Sequence, residues 1–324
     1  MRNAIRRSVR ALIPSWPEAH FEHLVMLQCS AVAGINSGKE RIRCLSEVEF
    51  QGFSQWGEDG IIDWLVGRLP EIPETFVEFG VEDYREANTR LLLQLRNWRG
   101  LVLDGSEANI QSIHAQDLYW RHELTARRAF VDQDNINQVI ASSGFNGDIG
   151  LLSIDIDGND YWVWQAIDVV SPAIVVCEYN TVLGDRHPLT VPYRADFERT
   201  RAHHSNLYFG ASIRALIELA KNKSYSFVGT ASTGCNAFFV RDDYAVLIAA
   251  AMERVCAFPS KFREARDAAG NLTFTSGIRR RELINHLPLI NPVSGISRDL
   301  ASWGDIYSPE WIAGQKTEFR FRDA

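Results

Sequence analysis

Short apolar runs alternate with amphipathic stretches along the middle of the chain, between residues 61 and 178. The apolar runs are typical of strands buried on both faces, at 75–79, 100–103, a third ending at 129–131, 150–156 and 173–178. Apolar residues recur at helical spacing in the intervening stretches, at 61–69, 87–96, 107–117, 135–140 and 161–167. This alternation predicts a doubly wound, mostly parallel α/β sheet with helices on both faces.

The alternation stops after residue 178. Residues 180–208 are polar, contain two prolines and are too long for an ordinary connection, so we interpret them as a functional loop or lid. A helix at 212–221 follows, and strands at 225–230 and 236–241 form a hairpin around a polar turn. We therefore divide the chain into an N-terminal helical extension (1–53), a central domain (54–241, with the lid at 180–208) and an irregular C-terminal extension packed on the same domain (242–324).

Charge and cysteine content limit the possible functions. A net charge of −7 argues against general nucleic-acid binding, which requires a basic surface. The five cysteines are odd in number and lack zinc-like spacing, so we expect reduced thiols and a cytoplasmic protein. Residues 2–12 place four arginines around three apolar residues at helical spacing. We favour an arm that packs on its own domain or on a sister subunit of a homo-oligomer, over peripheral contact with an anionic membrane surface.

Two carboxylates mark the end of the run at 150–156. Asp155 and Asp157 project to the same side as Ser153, because strand side chains alternate, and Gly158 then breaks the strand. The carboxyl ends of central strands are where open α/β sheets bind ligands. Carboxylates are also rarely buried without a proton, a cation or hydrogen-bond donors. We interpret the pair as part of a site, the alternative being that the two acids only cap the next helix.

Acidic residues also end the first two predicted strands. Asp104 lies about twenty residues beyond Gly80, where an acid can accept hydrogen bonds from ribose hydroxyls. A pyrophosphate requires glycines and no nearby negative charge, but this loop has only Gly80, between Glu78 and the acids Glu82 and Asp83. S-adenosylmethionine (SAM) carries a sulfonium and an ammonium and no phosphate. The acidic loop therefore favours SAM over NAD.

Several segments carry a family resemblance: FVEFGVEDYREANTRLLL, GLVLDGSEANI, DQDNIN, LLSIDIDGNDYW, IVVCEYN, YFGAS and GCNAFFVR. Over about residues 54–241 the chain resembles the FkbM-type branch of class I SAM-dependent methyltransferases, in particular a bacterial subgroup associated with polysaccharide biosynthesis. The resemblance implies a Rossmann-like sheet of seven strands, the last two forming the hairpin. It also implies an O-methyltransferase that acts on a hydroxyl of a sugar or glycan-related acceptor.

The resemblance further implies a set of cofactor contacts along the chain. These are Ser54 and Gln55 above the pocket, Glu78 and Gly80 at the methionine part of SAM, Asp104 at the ribose, Ser106 as a further contact, Asp132 and Asn135 at the adenine, and Asp155 or Asp157 beside the transferred methyl group.

Methyl transfer to oxygen requires a deprotonated and well-aimed hydroxyl. Asp157, Asp155 and His187, the last on the predicted lid, are the candidate bases. The alternative is a magnesium or manganese ion held by Asp157, Glu178 and Asn180, which would lower the pKa of the acceptor hydroxyl. We expect strands four and five to be neighbours, which would bring these residues together.

Two other functions stay open. Asp155-Ile156-Asp157 is also a D-x-D motif, which in a glycosyltransferase can hold a metal and a sugar-nucleotide diphosphate. That interpretation leaves Asp104 and the acidic first loop unexplained. The second is a non-catalytic SAM-binding subunit, in which the pocket is kept without turnover.

Overall fold

A central sheet of seven strands organises the computed structural model, which describes residues 18–319. The strands are β1 (Thr75–Phe79), β2 (Arg99–Asp104), β3 (Leu124–Arg128), β4 (Gly147–Ile154), β5 (Val170–Glu178), β6 (Tyr225–Thr230) and β7 (Asn236–Arg241). Their order in the sheet is β3-β2-β1-β4-β5-β7-β6. All neighbouring pairs from β1 to β5 are parallel, whereas β7 is antiparallel to both β5 and β6. This is the strand order of the Rossmann-like class I methyltransferase fold, so the predicted fold is confirmed.

Helices connect the strands and cover the sheet. They are α1 (Glu18–Ser37), α2 (Glu58–Arg68), α3 (Arg90–Arg96), α4 (Glu107–His114), α5 (Asp117–Arg121), α6 (Ile136–Ser142), α7 (Asp160–Ala166), α8 (Arg199–Ala202), α9 (Ile213–Asn222), α10 (Asp242–Ala251) and α11 (Pro309–Ile312). The C-terminal part adds four short strands, β8 (Val255–Ala257), β9 (Pro288–Ile290), β10 (Ser297–Asp299) and β11 (Thr317–Phe319). None of the helices between residues 18 and 319 combines the length and the hydropathy that a membrane-spanning helix requires.

The core lies on both faces of the central strands. Phe76 and Val77 in β1, and Leu151 and Leu152 in β4, are fully buried, as expected for strands covered by helices. Glu78 pairs in register with Ser153, so the polar ends of the two strands lie side by side. The sheet therefore collects the acidic strand ends at one edge.

Strand β3 ends earlier than the sequence pattern predicts. The apolar run at 129–131 continues past Arg128, the last residue of β3, because these residues leave the sheet and turn towards the cavity described below. The predicted helix at 107–117 is likewise interrupted, and α4 and α5 take its place.

Residues 180–208 are packed into the fold and do not form a loose cover. Leu183, Leu189 and Val191 are fully buried. The C-terminal segment holds them in place, since the Tyr307 hydroxyl donates to the carbonyl of Val182 at 2.7 Å. The domain boundaries at residues 53 and 241 stay predictions. The predicted basic helix at residues 2–12 lies outside the described residues.

Candidate active site

A cavity of about 520 Å³ opens at the carboxyl ends of the central strands, a volume suited to a ligand of cofactor size. We call it the acidic cavity, because its lining includes Glu78, Glu82, Glu86, Asp104, Asp155, Asp157, Glu178 and Glu198. Among the residues that line it, Arg199 is the only lysine or arginine. The lining therefore holds eight acidic side chains against one basic side chain.

The first loop crosses the end of β4 at Gly80. This glycine has φ of +74°, and a Cβ atom there would lie 1.7 Å from the carbonyl oxygen of Asp155. Only glycine fits this close approach. Glu82 and Tyr84 also have positive φ angles, of 48° and 62°, although both carry side chains. Backbone strain of this kind in non-glycine residues is concentrated at functional sites.

Glu78 lines the acidic cavity and anchors the same loop. Its Oε1 accepts hydrogen bonds from the Asn88 backbone N–H at 2.9 Å and from the Ser153 hydroxyl at 3.3 Å. Its Oε2 accepts from the backbone N–H of Thr89 at 3.1 Å and from the Thr89 hydroxyl. Burial nevertheless raises the pKa of the carboxyl. Glu78 thus fixes residues 88 and 89 beside the cavity.

Asp104 connects the ends of β1 and β2. Its Oδ2 accepts from the backbone N–H of Glu82 at 2.9 Å, and its Oδ1 accepts from the Ser106 N–H at 2.7 Å and from Asn109 Nδ2 at 3.0 Å. These donors fix the orientation of the carboxylate in the cavity wall, where ribose contact is predicted. Ser106 does not line the cavity, and its hydroxyl caps α4 by accepting from the N–H of Asn109.

Asp132 and Asn135 hold the turn after β3. Asp132 Oδ1 accepts from the Asn135 N–H at 2.8 Å, and Asn135 Oδ1 accepts from the Asp132 N–H at 3.1 Å. Neither residue lines the acidic cavity, where Ala129, Phe130 and Val131 stand instead. The ring of Phe130 is 53% exposed, and it is the aromatic surface at this end. Sequence reasoning assigned it to the end of the third strand and so missed its place in the cavity wall.

Three carboxylates converge where β4 and β5 end. Asp155, Asp157 and Glu178 each offer an oxygen, and these oxygens lie within 4.8 Å of one another. Glu178 Oε2 is buried without a hydrogen-bond partner. Burial, and then the charges of the neighbouring carboxylates, raise the pKa of Asp155 and of Glu178 well above the usual range. This cluster can accept a proton or attract a cation.

Arg199, on α8, is the counter-charge of the cluster. Its Nη1 donates to Asp157 Oδ1 at 2.6 Å, and its guanidinium lies 3.8 Å from the ring centroid of Phe209. Its Nε donates to the carbonyl of Asn206 at 2.7 Å, which fixes the side chain from a second direction. Sequence reasoning missed Arg199, because it lies in the polar segment that predicted only a lid.

A smaller chamber of about 160 Å³ adjoins the acidic cavity. We call it the side chamber. Gln55, Glu178 and Arg199 line both spaces, so Glu178 stands at their junction. The rings of Trp56 and Phe262 stack on each other at 5.2 Å in the wall of the side chamber and make this part of the wall apolar. The side chamber thus brings this aromatic pair close to the carboxyl of Glu178.

No family model matches the chain, and no curated protein does. The chain is similar to the N-terminal domain of EvdMO1, solved in the presence of SAH and D-fucose, with 11% identity, 64% of this chain and 95% of that chain covered, and a TM-score of 0.38. It is also similar to an O-methyltransferase from Bacillus cereus in complex with SAH. The identity is 11%, the match covers 73% of this chain and 95% of that chain, and the TM-score is 0.36. A third similar structure is the CurJ carbon methyltransferase. The identity is 9%, the match covers 72% of this chain and 70% of that chain, and the TM-score is 0.36. Similarity at this level assigns no activity.

Asn180 and His187, a predicted metal ligand and a predicted base, make their contacts away from the carboxylate cluster. Asn180 Oδ1 accepts from the Val182 N–H at 3.0 Å, and its Nδ2 donates to the carbonyls of Leu207 and Phe209. The third oxygen donor beside Asp157 and Glu178 is therefore Asp155 and not Asn180. His187 lies 6.3 Å from the ring of Trp303 and does not line the acidic cavity, so the structure does not bring this candidate base to the site.

Ser54 and Gln55, the two predicted contacts before the sheet, differ in their surroundings. The Ser54 hydroxyl is bonded to Asp59 Oδ2 at 2.9 Å and is buried away from the cavity. Gln55 lines both the acidic cavity and the side chamber, in agreement with its predicted position above the pocket. The turn before α2 thus holds Gln55 over the junction.

Proposed function

We propose that the chain is a SAM-dependent O-methyltransferase that acts on a hydroxyl of a sugar or glycan-related acceptor. The charge of the acidic cavity carries this proposal. SAM has a sulfonium and an ammonium, which carboxylates attract, whereas NAD and sugar nucleotides bring a diphosphate that the same carboxylates repel. A D-x-D glycosyltransferase would leave Asp104 and the acids of the first loop without a role. A role in polysaccharide biosynthesis and a cytoplasmic location stay predictions.

The cofactor would lie along the ends of β2, β1 and β4. Asp104 accepts hydrogen bonds from the ribose hydroxyls, and the exposed ring of Phe130 stacks on the adenine. The methionine part runs past Gly80, which lines the acidic cavity where the first loop packs against the end of β4. The methyl group then points to Asp155 and the side chamber.

Glu178 is the general base in this proposal. It lines both spaces, and its unpartnered Oε2 is free to accept the proton of an acceptor hydroxyl. Its raised pKa makes it a stronger base than an ordinary carboxylate. Asp157 is already paired with Arg199, which leaves it less suited to this role. A sugar ring would pack on the open side of the Trp56–Phe262 pair while its hydroxyl reaches Glu178.

A divalent ion is a second way to activate the hydroxyl. Asp155, Asp157 and Glu178 form an oxygen donor set of the kind that magnesium prefers, and they would hold the ion beside the acceptor. Such an ion lowers the pKa of a bound hydroxyl. Arg199 already supplies one positive charge to the same carboxylates. Turnover after exhaustive chelation, with magnesium or manganese added back, separates the two routes.

Calorimetry with SAM, SAH, NAD and a sugar nucleotide tests the proposed cofactor. We expect SAM and SAH to bind and the two diphosphates to bind at least tenfold more weakly. Tighter binding of NAD, or of the sugar nucleotide, would overturn the proposal. Binding of SAM without turnover on any sugar acceptor would favour the non-catalytic subunit.

The base is tested by Glu178→Gln, which keeps the size of the side chain and removes its charge. We expect methyl transfer to fall by at least about a hundredfold, the usual contribution of a general base, with SAM affinity changed less than threefold. Glu86→Gln is the matched control, because Glu86 lines the acidic cavity away from the junction. Equal losses in the two variants would refute a specific role for Glu178.

A further inference from the structure

A third cavity, of about 270 Å³, has a lining opposite in charge to the acidic cavity. Lys261, Arg263 and Arg280 line it, and no aspartate or glutamate does. We call it the basic cavity. Its other walls are partly apolar, with Pro259, Ile278, Tyr307, Trp311 and Ile312. In a chain with a net charge of −7, three cations without an acid in one concave surface point to a negatively charged ligand.

Arg280 is the strongest sign of such a ligand. It is only 3% exposed, yet no carboxylate of the described residues forms an ion pair with it. Its guanidinium donates only to neutral oxygens, of Ser260 at 2.9 and 3.0 Å, Thr181 at 3.2 Å and Gly277 at 3.2 Å. Buried charges are normally paired, because neutral acceptors replace only part of the lost hydration.

Trp311 provides a second, independent sign. The residue is 3% exposed, and its indole Nε1 is buried without a hydrogen-bond partner. Buried N–H donors nearly always have an acceptor. Trp311 lines the basic cavity, so this unsatisfied donor and the charge of Arg280 belong to the same cavity wall.

The remaining lining residues indicate the chemical class of the ligand. Lys261 and Arg263 are exposed and form no ion pair with the described residues, so they add positive charge at the entrance. Guanidinium groups match the oxygens of phosphate in geometry, and an ammonium adds a point charge. Ile278 and Ile312 are partly exposed beside them and would cover an apolar group. The volume lies just below the usual range for ligand pockets, which favours one small molecule.

We propose that the basic cavity binds a small organic phosphate, a phosphate group attached to a compact apolar body. Thr181, Ser260 and Arg280 also line the side chamber, so the bound phosphate would lie directly behind the wall of the proposed acceptor site. The ligand is therefore either a phosphate carried by the acceptor itself or a separate effector. Phosphate binding here does not depend on the proposed methyl transfer.

Calorimetric titration of the full chain with phenyl phosphate, inorganic phosphate and phenol tests this proposal. We expect one phenyl phosphate per chain, bound at least tenfold more tightly than inorganic phosphate, and no binding of phenol. Arg263→Glu should weaken phenyl phosphate at least tenfold. Arg279→Glu, the same change at an exposed neighbour outside the cavity lining, should alter it less than twofold.

Three results would overturn the proposal: no binding of phenyl phosphate at millimolar concentration, equal losses in the Arg263 and Arg279 variants, or inorganic phosphate bound as tightly as phenyl phosphate. SAM affinity measured in the same variants should not change, which separates this site from the cofactor site. Competition between phenyl phosphate and a phosphorylated acceptor would support the site and assign the phosphate to the acceptor. Binding without such competition would equally support the site and assign a separate effector.

Discussion

Replacing Gly80 with alanine tests how the acidic cavity is built. A Cβ atom at position 80 would lie 1.7 Å from the carbonyl oxygen of Asp155, half of the 3.4 Å at which ordinary contact begins. The oxygen belongs to the backbone, so it cannot rotate away as a side chain could. Either the first loop or the end of β4 must shift.

The expected cost has two parts. Holding alanine at the φ of +74° found at Gly80 costs about 1–2 kcal/mol. Overpacking of a well-packed site costs about 1–3 kcal/mol. The free energy of unfolding should therefore fall by about 2–5 kcal/mol. The same shift would move Asp155 away from the cofactor, so we expect SAM affinity to fall at least about tenfold, which is about 1.4 kcal/mol.

Urea unfolding and calorimetry with SAM measure the two effects. Gly105→Ala is the control in the same cavity, because a Cβ atom there would be 3.5 Å from the ring of Phe130 and the residue has no positive φ. We expect that variant to change the free energy of unfolding by less than about 0.5 kcal/mol. If Gly80→Ala were as stable as Gly105→Ala and bound SAM normally, the close approach at Asp155 would not matter, and the reasoning would be refuted.

Two further predictions concern single carboxylates. Asp104→Ala should weaken SAM binding by about 1.5–3 kcal/mol in calorimetry, the value of a hydrogen bond to a charged group, and unchanged affinity would reduce Asp104 to an anchor of the first loop. Asp160 is fully buried, and burial raises the pKa of its carboxyl from 3.8 to about 6. The folded protein thus binds a proton that the unfolded chain has released, so the free energy of unfolding should fall by about 3 kcal/mol as the pH rises from about 4 to about 6. Asp160→Asn should lose this part of the pH dependence in urea unfolding, and an identical slope in both proteins would contradict it.

The sheet was predictable because most of its strands are short, mainly apolar segments with clear ends in the sequence. The run at 75–79 coincides with β1, since Phe76, Val77 and Phe79 favour a strand and Gly80 ends it. The end of β3 was not predictable from the same rule. Residues 129–131 are apolar because they face a cavity, and hydrophobicity alone does not distinguish this from pairing in a sheet.

The acidic half of the site was predictable, whereas its partners were not. Alternation along β4 places Asp155 and Asp157 at one edge, and pairing with β5 brings Glu178 to them. Arg199 and Phe262 reach the same place from segments without periodicity, through tertiary contacts that no local pattern records. The prediction of a lid over 180–208 followed from polar composition, but Leu189 and Val191 within it are core residues.

The C-terminal segment forms hydrogen bonds with residues 182–185, and this has a consequence for biosynthesis. Every residue that lines the acidic cavity has been synthesised by residue 236, but Asp185 receives its partners Ser308 and Thr317 only much later. At 5–20 residues per second, the ribosome needs roughly 4–16 s to cover that distance. At the start of this interval the residues that line the acidic cavity are present, while the side chamber still lacks Phe262 and Arg280. Chaperones would therefore meet the fold before the C-terminal segment has closed over residues 182–185.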